Sequence, residues 1–585
     1  MLHSEFLLNQ RPGIASARGA KEWLKALPLT DARAAQHSVA ALIAELDDAD
    51  MSARDRLEIM ETMRGHIAEI GVRYAVRYAA KPLPLGLAER TAFLHACALW
   101  RRQAAVYMRC ALAAIGDECE LAPHRALCLS RAAGFHCDVL VGHARAGQAD
   151  DPAIFDELQR IAEIAAEQQV LDAPVRDSLH PRGVTSVAAT YRRALLIWLG
   201  ADLGVGRERE AMFDLARAWE HKTTLAWPPI GGAGTPGGAG TPGGSGTPGC
   251  AGTPGGAGAA VPSPGVPAGA EGQRVRMRAI SIGCRTHVLD VSALARSLHR
   301  RLRKLAAGEP AESLRLPPSL QHAGAAVVLR RLAGVWCGDV SVPVDARRAP
   351  APAGVAPGDG CPLALCGAGD DFAVMYCMVE GKAFVLDEVA DITSRSRFDE
   401  LFVFQHAGRA RFEARTHAAT RSFEEWHITG EVAGGFRLAR ARAGARFKSG
   451  QLVAMRLRNS ANDGPVVLAE IRRLAEPDHS PHGPQPGALD AEVGLLAGKP
   501  HGVAVRDAGA GHAAGGAHTA AFRLGSLQGA AHVSLVTPSG WFRPGREVVM
   551  RDGEVVRRLR MERLAQRGLD FDLIEAAMIG TESAT

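Results

Sequence analysis

Lysine is scarce in this chain: only eight of the 68 basic residues are Lys, and the rest are Arg. A GC-rich genome accounts for that bias, and for the abundance of Ala and Gly, without any appeal to the affinity of guanidinium for phosphate. Charge of one sign is not in excess either. A formal +5 over 585 residues is small for this length and does not argue for bulk nucleic-acid binding, where clustered basic faces are expected, so DNA is not an expected partner. The 11 cysteines include no Cys-x-x-Cys pair and no Cys/His group at zinc spacing, so no metal is expected. Their odd number and scatter through apolar segments fit reduced thiols in a cytosolic core. No stretch reaches the roughly 18–20 apolar residues of a membrane helix. Val187 to Leu203 comes nearest, and Arg192, Arg193 and Asp202 interrupt it. Met1 to Leu8 lacks a basic region and has only a short apolar run, so no secretory leader is expected and the location expected is cytoplasmic. Gly-x-Ser-x-Gly, His-Glu-x-x-His and phosphate-loop signatures are absent. Gly204 to Arg209 lies between helices, not after a strand, so it is no dinucleotide fingerprint. The expectation is a protein without catalytic activity and without a cofactor.

What is present divides the chain. From Gly231-Gly232-Ala233-Gly234-Thr235-Pro236 a six-residue Gly/Thr/Pro repeat runs to Pro254, and Pro/Ala/Gly sequence follows. Glycine entropy and missing proline donors prevent a core there, so 229–272 reads as a disordered linker. Residues 1–228 carry apolar spacings of three and four with short breaks, which predicts an all-α domain of helical hairpins in the manner of tetratricopeptide-like repeats. Asp31 and Ser52 are expected N-caps. Residues 273–400 read as a mixed α/β middle domain. Beyond them come short strands with frequent glycine: a small barrel at 401–475, a linker at 476–498, and a second small barrel at 499–585 ending in a helix from Asp570 to Met578. Phe447 to Met455 resembles Arg543 to Met550 in form, each placing Gly before an alternating strand, which suggests tandem barrels. The fold class is therefore α+β and multidomain.

Trp426-His427-Ile428-Thr429-Gly430-Glu431-Val432-Ala433-Gly434-Gly435-Phe436-Arg437-Leu438 reads as strand, glycine turn, strand. It resembles the strand-turn-strand of PilZ-type β-barrels, the bacterial receptors for cyclic di-GMP. The order of segments along the chain is similar to that of a betaproteobacterial group placed with those receptors. The resemblance implies a PilZ-like barrel, cyclic di-GMP as ligand, and a turn motif Asp/Asn-x-Ser-x-x-Gly. Here Gly435 matches the final glycine, while Gly430 and Val432 stand at the acidic/amide and serine positions. The family's Arg-x-x-x-Arg, whose guanidinium groups grip phosphate and stack on guanine, is matched by Arg411 and Arg415. Arg409 and Arg421 are further candidates. The interval from Arg415 to Gly430 is shorter than the family's.

Each feature also has a plain structural reading. Arg411 and Arg415 can be solvated surface in so arginine-rich a chain. Trp426 fits a barrel core, and Gly434 and Gly435 a turn with positive φ. The run Arg296 to Lys304 fits a helix with Leu298, Leu302 and Leu305 inward and its charges in solvent. Two functions stand side by side: a cyclic di-GMP-responsive signalling adaptor whose N-terminal helices dock a protein partner, and a ligand-free scaffold or chaperone-like interaction protein.

Overall fold

The computed structural model describes residues 14, 16–116, 120–148, 151–200, 207–226, 230–231, 276–282, 285–321, 324–338, 362–367, 372–382, 384, 424–432, 434–442, 444–459, 462–476, 487–509, 518–525 and 531–582. The Gly/Thr/Pro repeat beyond Gly231 lies outside them, as do Arg409, Arg411, Arg415 and Arg421. The chain is α+β and multidomain, with its helices mostly N-terminal and its large sheets C-terminal.

The N-terminal arm begins with α1 (Ala17–Ala26), α2 (Ala32–Asp48), α3 (Ala53–Ala75), α4 (Leu87–Ile115), α5 (Arg125–Ala146) and α6 (Pro152–Glu167). The short strands β1 (Val175–Arg176) and β2 (Val184–Thr185) follow, then α7 (Val187–Gly200) and α8 (Arg207–Trp219). Asp31 accepts from the Arg33 and Ala34 amides and Ser52 from that of Asp55, so both cap as expected. Charges drawn into this core are paired. Arg64 Nη2 lies 2.5 Å from Asp177, Arg131 reaches both Asp177 and Glu61, and Tyr107 donates to Glu61. Burial alone would raise the Asp177 carboxyl, but Arg64 and Arg131 hold it below its ordinary value.

The predicted middle domain, 273–400, is divided among three neighbours. Strands β3 (Thr224–Leu225), β4 (Ile230–Gly231), β5 (Met277–Ile282) and β6 (Arg285–Asp290) form one sheet. This sheet, α9 (Ser292–Ala306) and α10 (Ala325–Cys337) pack into the same core as the arm. Trp336, fully buried, donates its indole N–H to Leu196 O of α7 at 2.8 Å. Strand β7 (Pro362–Gly367) enters the first barrel, and α11 (Phe372–Glu380) packs beside the second. The described elements of this segment bury their apolar faces on different partners.

The first barrel is formed by β7 with β8 (Glu424–Val432), β9 (Gly435–Arg440), β10 (Leu452–Asn459), β11 (Asn462–Ala475) and β12 (Leu489–Leu495). It therefore draws strands from 362–367 and from inside the predicted 476–498 linker. The second comprises β13 (Pro500–Asp507), β14 (Thr519–Leu524), β15 (His532–Pro538), β16 (Glu547–Asp552), β17 (Val555–Arg567) and β18 (Phe571–Glu582). The expected C-terminal helix is thus a strand. Phe571, Ile574 and Ala576 are buried, and β18 is paired along both edges, by β15 and β17. Closing the barrel outweighs a local pattern that also suits a helix.

Both barrels are closed and wholly antiparallel, and numbered from their own first strands both follow the circular order 1-2-3-6-5-4. The correspondence extends to single bonds. Gly450 (φ 81°) donates to Ile471 O, and the Ile471 amide donates to Gln451 O; Gly545 (φ 76°), Met561 and Arg546 repeat that pair. A bulge follows at the same point in each barrel, between Ile471 and Arg473 and between Met561 and Arg563.

Candidate functional site: the first barrel hairpin and its junction with the helical arm

Strands β8 and β9 form the hairpin that carries the motif positions. Gly434, at φ 74°, makes the turn, and Val432 pairs with Gly435 across it. The register shifts between Ile428 and Gly430, so Thr429 is a bulged residue beside the motif. Gly430 faces Arg437, and a Cβ built on Gly430 meets no atom within 4 Å. A side chain at Gly430 therefore has room. Gly435 has none: a Cβ there would lie 1.8 Å from Val493 O on β12. The packing of β9 on β12 requires that glycine, whatever the hairpin binds. Its φ is not positive, so close approach rather than turn geometry is the reason it is glycine.

Trp426 is fully buried, with Phe447 edge-on at 5.9 Å between centroids, so it serves the barrel core. The Arg440 guanidinium lies 5.2 Å from the Trp426 ring and 2.5 Å from Glu424. Arg440 also donates to Ala445 O and Gly487 O, tying the open end of the hairpin to two loops. Among the described residues, the hairpin offers backbone groups, the open position at Gly430 and the exposed side chains of Thr429, Glu431 and Arg437. Because Arg409, Arg411, Arg415 and Arg421 lie outside the described residues, the structure brings only Gly430 and Gly435 of the sequence candidates together.

This barrel is joined to the arm by a junction that the sequence does not signal, because its partners are nearly four hundred residues apart. The loop between α3 and α4 adds a backbone bridge to the barrel: the Leu83 amide donates to Phe447 O at 2.7 Å and the Phe447 amide to Leu83 O at 2.8 Å. Glu476 accepts from the Leu85 amide at 2.8 Å and pairs with Arg90. Arg446 donates to Pro82 O and pairs with Glu89. The N-terminal turn of α4 is therefore fastened to the barrel by charge-assisted bonds.

Further along α4, a cavity of about 590 Å3 opens between α4 and α6, within the usual size of ligand clefts. Met108 and Ile154 give it an apolar floor, and Arg101, Arg109 and Arg160 stand at its rim. Arg101 contacts Asp151 at 3.1 Å and Arg109 contacts Asp47 at 2.9 Å. His136 also lines it, and burial pushes that imidazole down to about 4 against the pull of Glu157. The sequence reading missed this cleft, since its walls come from three separate helices.

The basic run Arg296 to Lys304 falls on α9, with Leu298 fully buried as expected. Its charges are not all in solvent. Arg301 turns onto the Trp219 ring at 4.7 Å, with Lys222 at 4.9 Å from the same ring. Burial, then Arg301 and Arg300, bring the Lys222 ammonium down to about 8.

Among the described residues no helix is long and apolar enough to cross a membrane, and no group of three His, Cys, Asp or Glu could hold a metal ion. Residues 18–229, about a third of the chain and the whole run from α2 to α8, match the family described as the N-terminal domain of the cyclic-di-GMP receptor FimW. No curated protein matched the chain, and no solved structure did.

Proposed function

We propose that this protein is a cyclic di-GMP-responsive, non-catalytic signalling adaptor of the cytoplasm. The match of residues 18–229 to the N-terminal domain of a cyclic-di-GMP receptor carries this reading. The PilZ-like hairpin at β8–β9 is the ligand site, with Gly430 and Gly435 on the turn and Arg411 and Arg415 gripping the phosphates. Arg409 and Arg421 are the next candidates. A ligand seated there bears on the barrel whose far side holds the N-terminus of α4, so its presence is passed to the helical arm, where a protein partner docks. Neither DNA nor a cofactor has a part in this scheme.

The test is titration calorimetry with cyclic di-GMP, with GTP as the control. Saturable binding in the micromolar range, about −8 kcal/mol or better, is expected. The Arg411→Ala/Arg415→Ala protein should lose it. Unchanged binding by that variant moves the site elsewhere, and no heat in the parent removes the receptor role.

The second reading is a ligand-free scaffold. Gly430 and Val432 favour it, since neither supplies the side-chain acceptor that the PilZ motif provides for guanine. It keeps the partner-docking arm and predicts no response to the nucleotide.

A further inference from the structure

Helix α4 has 29 residues, about 43 Å of helix, and among the described residues one long face of it is left exposed. Leu87, Leu94, Arg101 and Met108 follow each other at intervals of seven. Thr91, Ala98, Ala105 and Leu112 form a second series at the same interval, offset by four. Together they make an unbroken four-three alternation, the pattern by which one helix receives another. Leu87 is 85% exposed, Leu94 54% and Leu112 55%. Such side chains aligned on one stripe signal a binding face, whereas scattered ones would not. The C-terminal half of the stripe runs into the cleft beside α6, where Met108 is buried in the floor.

The flank of the stripe is basic at the same interval: His95, Arg102 and Arg109, all exposed. These occupy positions that set partner charge in paired helices. The one acidic residue of α4 is Glu89, already engaged by Arg446. A second copy of α4 packed antiparallel would set Arg102 against Arg102, a like-charge contact that disfavours self-pairing.

We propose that the exposed face of α4 is the docking seam for an acidic amphipathic helix of a partner protein. The leucines of the partner helix seat on the stripe, its carboxylates meet Arg102 and His95, and its end enters the cleft beside α6. This deepens the adaptor reading by naming the class of partner, and rests on that reading only for the seam's role as an output. The N-terminal turn of this helix is the one fastened to the first barrel.

The probe is a pair of synthetic helical peptides of about 25 residues, matched to the length of the stripe. Both carry leucine at the heptad core; one carries Glu and the other Lys at the flanking positions. Fluorescence anisotropy against the full chain should show the Glu peptide binding at least about ten-fold tighter, and losing affinity with salt. Leu94→Ser/Leu112→Ser should cost about ten-fold or more, and His95→Glu/Arg102→Glu should reverse the preference. All four positions are exposed, and circular dichroism melts check that each variant is folded. Equal binding of the two peptides, or indifference to both double variants, overturns the proposal. So does binding to phosphatidylserine vesicles, with the same residue dependence, in place of the Glu peptide; the face is then a membrane surface. Calorimetry with cyclic di-GMP on the same proteins separates the two readings. Peptide binding without nucleotide binding sinks the receptor role and keeps the seam, and nucleotide binding without peptide binding does the reverse.

Discussion

The two barrels share one wiring diagram and differ in what they are fastened to. The first packs into the same apolar core as the helices, through Trp426, Phe436, Phe447 and Leu474, while the second keeps a core of its own around Val503, Leu535, Leu559 and Ile574. They meet through a third apolar cluster that includes Leu452, Leu468, Phe522 and Phe571. Leu452 donates its amide to Asp570, and Leu569 donates its own to Gly450 O. One fold thus serves as the mount of the helical arm in its first copy and as a self-contained unit in its second. The difference lies in residues such as Arg446 and Glu476 that reach α4, and Phe447 that bonds the loop before it.

The largest test of that comparison is at equivalent strand positions, Gly435 on β9 and His532 on β15. Gly435→Val should cost about 3–5 kcal/mol, because its Cβ has no space against Val493 O. His532→Ala, with the wild-type side chain 59% exposed, should change stability by no more than about 0.5 kcal/mol. Denaturant midpoints of the two variants decide it; equal costs would mean that the two β-ladders are packed alike.

Next is the mount itself. Glu476→Ala should cost about 2–3 kcal/mol by leaving the Leu85 amide and Arg90 without their carboxylate. Hydrogen exchange should show the loss in the α3–α4 loop and first barrel, with the second barrel unmoved. Uniform loosening would deny that the barrels differ in attachment.

Acid should also act on the arm before the second barrel. The His136 imidazole is depressed from about 6.5 to about 4 in the folded chain. Between those values the unfolded chain binds more protons, so this contribution is complete above about 6.5 and is lost as pH falls toward 4. It amounts to about 3 kcal/mol at most. Stability measured from pH 7 to pH 4.5 should slope less in His136→Leu than in the parent.

Restoring the turn chemistry sharpens the functional side of the comparison. Gly430→Asp/Val432→Ser has room at position 430 and should raise cyclic di-GMP affinity about ten-fold, or about 1.4 kcal/mol. Calorimetry showing no gain would count against the β8–β9 hairpin as the ligand site. The smallest effect belongs to an ion pair on the second barrel, the exposed Arg563 with the half-buried Glu575 at 2.7 Å. Arg563→Ala should cost under about 1 kcal/mol.

Much of the architecture was legible in residue order. The helical periodicity of the arm, the caps at Asp31 and Ser52, and the likeness of the two Gly-led phrases before β10 and β16 all have counterparts in the fold. The sequence carries a further internal signal: Arg473-Leu474-Ala475 and Arg563-Leu564-Ala565 follow the equivalent bulges of β11 and β17. A helix is expected from Asp570 to Met578 because the local pattern also suits helical spacing, and barrel closure makes the segment a strand. The linker expected over 476–498 gives way to β12 at its end, where Leu489, Ala491, Val493 and Leu495 alternate and are buried once β9 and β11 lie alongside them.

The site was less legible for the same kind of reason. Sequence alone fixed that a glycine turn sits between two strands at Gly434, and that α4 is a long helix with leucines and arginines at helical spacing, because periodicity and backbone preference act over a few residues. Tertiary structure decided which leucines of α4 stay uncovered, that Gly435 is demanded by Val493 rather than by a turn, and that Glu476 holds a loop nearly four hundred residues away. Those outcomes depend on which surfaces meet when the chain closes, and burial is a property of the assembled core that no local pattern contains.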